Sequence, residues 1–129
     1  MNKIVVRFAD GKVLKGYTSD FSPNKDMFHL TGKDDQQVEL VKIEKLKAVF
    51  IVKEFDGNPN HSEADDFDNS QRIYGSRMRV HFKDGEELVG IAVGYKPDKT
   101  GFFLTPVDPE SNTIRAFVVN EFVEKATAE

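Results

Sequence analysis

The strongest constraint on this chain is that part of it is written twice. Val6 to Thr31 lies without a gap on Val80 to Thr105 at a constant offset of 74, and eleven of those 26 pairs are identical. Among them are Phe8/Phe82, Asp10/Asp84, Gly11/Gly85, Leu14/Leu88, Gly16/Gly90, Pro23/Pro97, Phe28/Phe102 and Leu30/Leu104. A repeat of this kind means one small structural unit in tandem, and it bounds the architecture before any motif is weighed. It names no reaction and no ligand.

Strand signals fill each copy. Ile4 to Phe8 is β-branched and aromatic, Asp10-Gly11 is a tight-turn dipeptide, and Val13 to Thr18 resumes as a second strand, so the segment reads as a hairpin. Gly16 interrupts that second strand, and a mid-strand glycine marks a bulge or a sharp bend. The second copy repeats the device with Val80 to Phe82, Asp84, Gly85, Leu88 and Gly90. Phe28 to Leu30 and Phe102 to Leu104 follow as third strands. Beyond Thr31 the copies diverge. Val38 to Ile43 and Lys47 to Lys53 read as strands four and five, with counterparts at Thr113 to Val119 and Val123 to Thr127 if the offset rises to 76. Short strands with regularly spaced turns and no long helical period predict an all-β protein.

Each copy is only about fifty residues, near the lower limit for a self-sufficient core. The two are therefore expected to pack on one another as a pseudo-dimer, residues 1–53 as the first unit and 78–129 as the second. Eleven Phe and three Tyr supply much of the core volume. The absence of cysteine excludes disulfides, thiolate metal sites and a cysteine nucleophile. The start Met-Asn-Lys leads directly into a strand, and no apolar run approaches the roughly 18 residues of a membrane helix, so the expected location is the cytoplasm.

Residues 54–77 differ in composition. They carry six acidic residues against Arg72 and Arg77, and read as an acidic linker or excursion whose apolar residues Phe55, Phe67, Ile73 and Tyr74 dock its ends. Ser62 could cap one short helical turn there. The net charge is +3 over residues 1–53, −4 over 54–77 and −3 over 78–129. Opposite signs on two similar units favour contact between them, within a chain or between chains.

The hairpin pattern of Phe8, Asp10-Gly11, Leu14 and Gly16 resembles the first half of an Sm-like or SH3-like small barrel. The resemblance implies two tandem five-stranded Sm/SH3-like barrels, with Asp-Gly in the turn and the later glycine at the bend. The chain is also similar over nearly its full length to an uncharacterised bacterial family, a domain of unknown function with this tandem arrangement. Phe55-Asp56-Gly57, Gly101 to Leu104 and Asp108 to Asn112 carry that likeness, which implies no activity.

Several function classes can be weighed on residues. An Sm-like RNA site would place an Arg-Gly or Lys-Gly pair between strands four and five, and neither Val41 to Leu46 nor Val118 to Phe122 has one. The acidic chain also lacks the electrostatic attraction that dominates nucleic-acid affinity. A basic face of Lys3, Arg7, Lys12, Lys15, Lys42, Lys45, Lys47 and Lys53 with Phe21 or Phe28 remains as the nucleic-acid alternative. Asp68-Asn69-Ser70 with Arg72 and Arg77 resembles the parts of a PilZ-type cyclic-dinucleotide site, in the wrong order and spacing. His29, His61 and His81 show no metal or nucleophile spacing, and Asp65, Asp66 and Asp68 no cation-loop spacing. No catalytic residue, metal or cofactor is expected.

The reading is a non-enzymatic protein-interaction module, with homodimerisation open to it through free strand edges. Phe21, Pro23, Tyr95 and Pro97 are the candidate surface, because an aromatic two residues before an exposed-loop proline occurs twice. Core anchoring explains the two aromatics equally well. Asp10, Gly11, Gly16, Asp84, Gly85 and Gly90 are the structural turn and bend residues.

Overall fold

The computed structural model describes residues 2–57 and 75–129. The expected all-β class holds: ten strands, β1 (Asn2–Phe8), β2 (Val13–Thr18), β3 (Met27–Gly32), β4 (Val38–Lys42), β5 (Leu46–Val52), β6 (Ser76–Phe82), β7 (Glu87–Val93), β8 (Gly101–Pro106), β9 (Thr113–Val119) and β10 (Val123–Ala128), with single 3-10 turns at Ile43–Lys45 and Asn120–Phe122. All pairings are antiparallel and join the strands into one sheet in the order β10-β6-β7-β8-β9-β5-β1-β2-β3-β4. The two halves are thus one joint sheet, and within each the strand order is the same: five, one, two, three, four.

Register corrects the sequence alignment of the second part. Met27 pairs with Lys42 and Gly101 with Val119, while Val6 pairs with Val49 and Val80 with Ala126. After the third strand the offset is therefore 77, where the sequence suggested 76. Of the three additional residues, one lengthens the connection from β8 to β9 and two extend the start of β9; a single-residue slip matters because it exchanges the faces of a strand.

Two apolar cores form, one mainly from each half, and the strands at the junction serve both. β5 is buried along its whole length. Leu46, Val49 and Ile51 pack into the first core with Ile4, Val6, Phe28 and Leu30, whereas Ala48, Phe50 and Val52 pack into the second with Val80, Phe82, Phe102 and Leu104. β9 reciprocates, sending Phe117 and Val119 into the first core and Ala116 and Val118 into the second. A strand covered on both faces needs a near-continuous apolar run, which is what Leu46 to Val52 supplies, Lys47 excepted.

Candidate interaction surface

The hairpin turns are built alike. Gly11 and Gly85 take φ of +97° and +93°, a left-handed conformation that glycine adopts without penalty. The Asp10 carboxylate accepts from the Lys12 amide at 2.9 Å, and Asp84 accepts from Glu86 at the same distance. The role of Gly16 and Gly90 is close approach: the β1–β2 ladder passes through Gly16 without a register shift. A Cβ on Gly16 would lie 2.1 Å from the Thr31 carbonyl oxygen, and one on Gly90 2.4 Å from that of Thr105. Each glycine lets β3 or β8 come in against β2 or β7.

Phe21 and Tyr95 are both half-buried and turned inward. Phe21 meets the ring of Phe28 edge-on at 5.2 Å and that of Phe117 at 5.4 Å; Tyr95 meets Phe102, the counterpart of Phe28, at 4.8 Å. The aromatics are thus loop anchors, and Pro23 and Pro97 are the exposed members of the set. The fold brings their loops to one end of the molecule. Pro97 borders a cleft of about 580 Å³ with Met27, Lys42 and Glu44, Pro23 borders a second hollow of about 500 Å³, and the two share Asp98, Lys99 and Thr100.

Lys47 reads in the sequence as the start of the fifth strand and as a member of a basic face. It is 6% exposed, the second residue of apolar β5, and its ammonium donates to Asp84 at 2.7 Å and also to Glu86, while lying 4.7 Å from the centre of the Phe82 ring. A turn residue of the second half is thereby tied to a strand of the first. The hydrogen bond from Lys47 is the main cause that holds the Asp84 carboxyl below the usual carboxylate range. One charge inside an otherwise apolar strand is the signal that could have identified it.

Much of the remaining expected basic face is spent locally. Lys3 pairs with Glu54 at 3.1 Å and Lys15 with Asp56 at 3.4 Å, while Arg7 and Lys12 lie over the rings of Phe50 and Phe8. Phe55 meets Tyr17 edge-on at 5.4 Å, and Glu54 exchanges two 2.9 Å hydrogen bonds with Asn112, so the start of the acidic excursion docks on both halves. His29 contacts Asp20 at 2.7 Å, which with the His29 amide pulls Asp20 down to about 2; His81 contacts Glu87 at 2.9 Å. Among the described residues no group of three or more His, Asp or Glu converges as a metal site, and no helix is long and apolar enough to cross a membrane. His61, Ser62, Asp65, Asp66, Phe67, Asp68, Asn69, Ser70, Arg72, Ile73 and Tyr74 lie outside the described residues.

Among the described residues the sheet has two open ends: β4 pairs only with β3, and β10 only with β6. On β4, Val38 and Leu40 are 62% and 51% exposed, an unusual pair of large apolar side chains on a free edge.

Residues 1–128 match the model of DUF6982, a family of unknown function, and the chain belongs to that family. No curated protein and no solved structure matches it.

Proposed function

We propose that this chain is a non-enzymatic, cytoplasmic protein-interaction module, built from two small Sm/SH3-like barrels fused edge to edge, that engages other proteins through its open strand edges. The observation that carries the reading is the β4 edge, where Val38 and Leu40 stand exposed beside backbone that no strand pairs on its outer side among the described residues. An unpaired strand offers a row of amides and carbonyls to an incoming strand, and apolar side chains flanking it add affinity. The identical strand order of the halves and their separate cores support the barrel description. Pairing of Lys3, Lys15 and Lys47 with carboxylates weakens the nucleic-acid alternative, since each neutralised lysine is lost to phosphate binding.

Affinity capture from native cells tests this, with Val38→Lys/Leu40→Lys as the edge-blocked control and nuclease treatment of both samples. The reading expects a specific protein that survives nuclease and is lost with the blocked edge. Recovery that nuclease abolishes, or that the blocked edge leaves unchanged, would overturn it.

A further inference from the structure

We infer that the partner of the free β4 edge is the β10 edge of a second copy of this chain, so that chains join head to tail by repeating the junction already present inside each one. The inference rests on the interaction-module reading and specifies its partner.

The internal junction pairs β5 with β9, through Ala48↔Val118, Val49↔Phe117, Phe50↔Ala116 and Ile51↔Arg115. At the offset of 77, β10 is the second copy of β5, and β4 is the first copy of β9. The two strands left open are therefore the counterparts of the two strands that pair inside. Carrying the junction's register across sets Lys125 against Val41, Ala126 against Leu40, Thr127 against Glu39 and Ala128 against Val38 of the next chain.

Three features favour that placement. Phe117, the counterpart of Leu40, is 2% exposed because β5 and the first core cover it, whereas Leu40 is 51% exposed, with β3 on one side and no strand on the other among the described residues. Phe117 packs edge-on against Phe21, the outer ring of the Phe21–Phe28 pair, and the second half repeats that pair as Tyr95–Phe102, on which no further ring packs among the described residues. Leu40 of a neighbouring chain would take the place of Phe117 there, beside Ala126, which already packs against the second core. One position beyond the paired run, Glu124 faces Lys42, and the half bearing β10 carries net −3 against net +3 for the half bearing β4. Opposite charges directly across a ladder stabilise it modestly and select against pairing of like edges.

Such an interface joins two different surfaces, so it continues until it closes into a ring or runs on as a filament. The intact protein tests it by light scattering after size exclusion. Wild type should give a mass that is a multiple of 14.6 kDa and greater than one chain. Val38→Lys/Leu40→Lys blocks β4, and Glu124→Lys/Ala128→Lys blocks β10; all four positions are exposed in the single chain, so thermal melts should match wild type. Each variant alone should be monomeric. Mixed together they should form a species of two chains and nothing larger, because only one competent edge of each kind remains.

A monomeric wild type overturns the inference, as does either variant keeping the wild-type mass. Dimerisation of the β10-blocked variant by itself also overturns it, by showing a two-fold β4–β4 contact. A monomeric chain that still captures another protein through β4 would refute the head-to-tail junction and leave the interaction-module reading standing.

Discussion

Dividing the chain into residues 1–57 and 75–129 should unfold both parts, and the magnitude follows from the shared strands. Val5, Phe50 and Val52 belong to the first half but pack in the second core, and Phe117 and Val119 do the reverse. At about 1.5 to 3 kcal/mol for each large apolar side chain returned to water, separation removes about 7 to 15 kcal/mol. That matches the whole stability of an ordinary domain, about 5 to 15 kcal/mol. Neither part can bear half of such a loss, since each is also small enough that burial barely offsets chain entropy. Circular dichroism and amide NMR dispersion should show each part unfolded or self-associated, and mixing should restore strand signal in a one-to-one complex. Salt should weaken that complex only slightly, because apolar contacts dominate the junction and Lys47 is the single buried cation across it among the described residues. Two monomeric parts with sharp melts and no mutual affinity would refute the argument that the cores are interlocked.

The Lys47 cluster should respond asymmetrically: Lys47→Met leaves Asp84 and Glu86, whose side chains are 43% and 50% exposed, free to rehydrate and should cost about 1 kcal/mol, whereas Asp84→Asn with Glu86→Ala strands a buried ammonium and should cost about 3 kcal/mol in denaturant melts. The reverse order would remove the account of that cluster. Because Lys47 depresses Asp84, its contribution is present above the unfolded carboxylate value near 3.9 and is lost as pH falls through the lower folded value. Lys47→Met should therefore lose less stability than wild type on acidification below about pH 4, measured by melting temperature against pH. Gly16→Val and Gly90→Val should each cost about 1 to 3 kcal/mol, since the added carbon meets a backbone oxygen that cannot move aside, while Gly11→Ala, open around its Cβ, should cost only about 1 kcal/mol for its positive φ. Melts of the two valine variants equal to wild type would remove the close-approach argument.

The strands were legible because their signals are local: Asp10-Gly11 and Asp84-Gly85 fix a turn, and β-branched runs either side need no knowledge of the rest of the chain. The junction was not legible, since pairing β5 with β9 joins segments that neither repeat contains whole. The offset of 76 set Leu46 on Phe122, both large and apolar; only the ladders, which set Leu46 on Val123 opposite Phe8 and Phe82, separate 76 from 77. Phe21 and Tyr95 were ambiguous for a related reason. An aromatic before a loop proline looks the same in sequence whether it seeks a partner or a core, and the ring contacts with Phe28, Phe117 and Phe102 decide it.

The divergence of the copies carries information of its own. β5 and β10 hold the same place in their units, yet Leu46-Lys47-Ala48-Val49-Phe50-Ile51-Val52 is apolar but for Lys47, and half of Val123-Glu124-Lys125-Ala126-Thr127-Ala128 is polar. β5 is roofed on both faces within one chain and never meets water, so apolar residues cost it nothing in solubility. β10 must survive exposed until a neighbour arrives, and charges on an open edge hold off indiscriminate pairing. The same trade shows on the other side of the junction, where Phe117 is replaced by the smaller Leu40. A junction of Ala126 with Leu40 buries less than one of Val49 with Phe117, so the contact between chains should open at concentrations where the one within each chain stays closed.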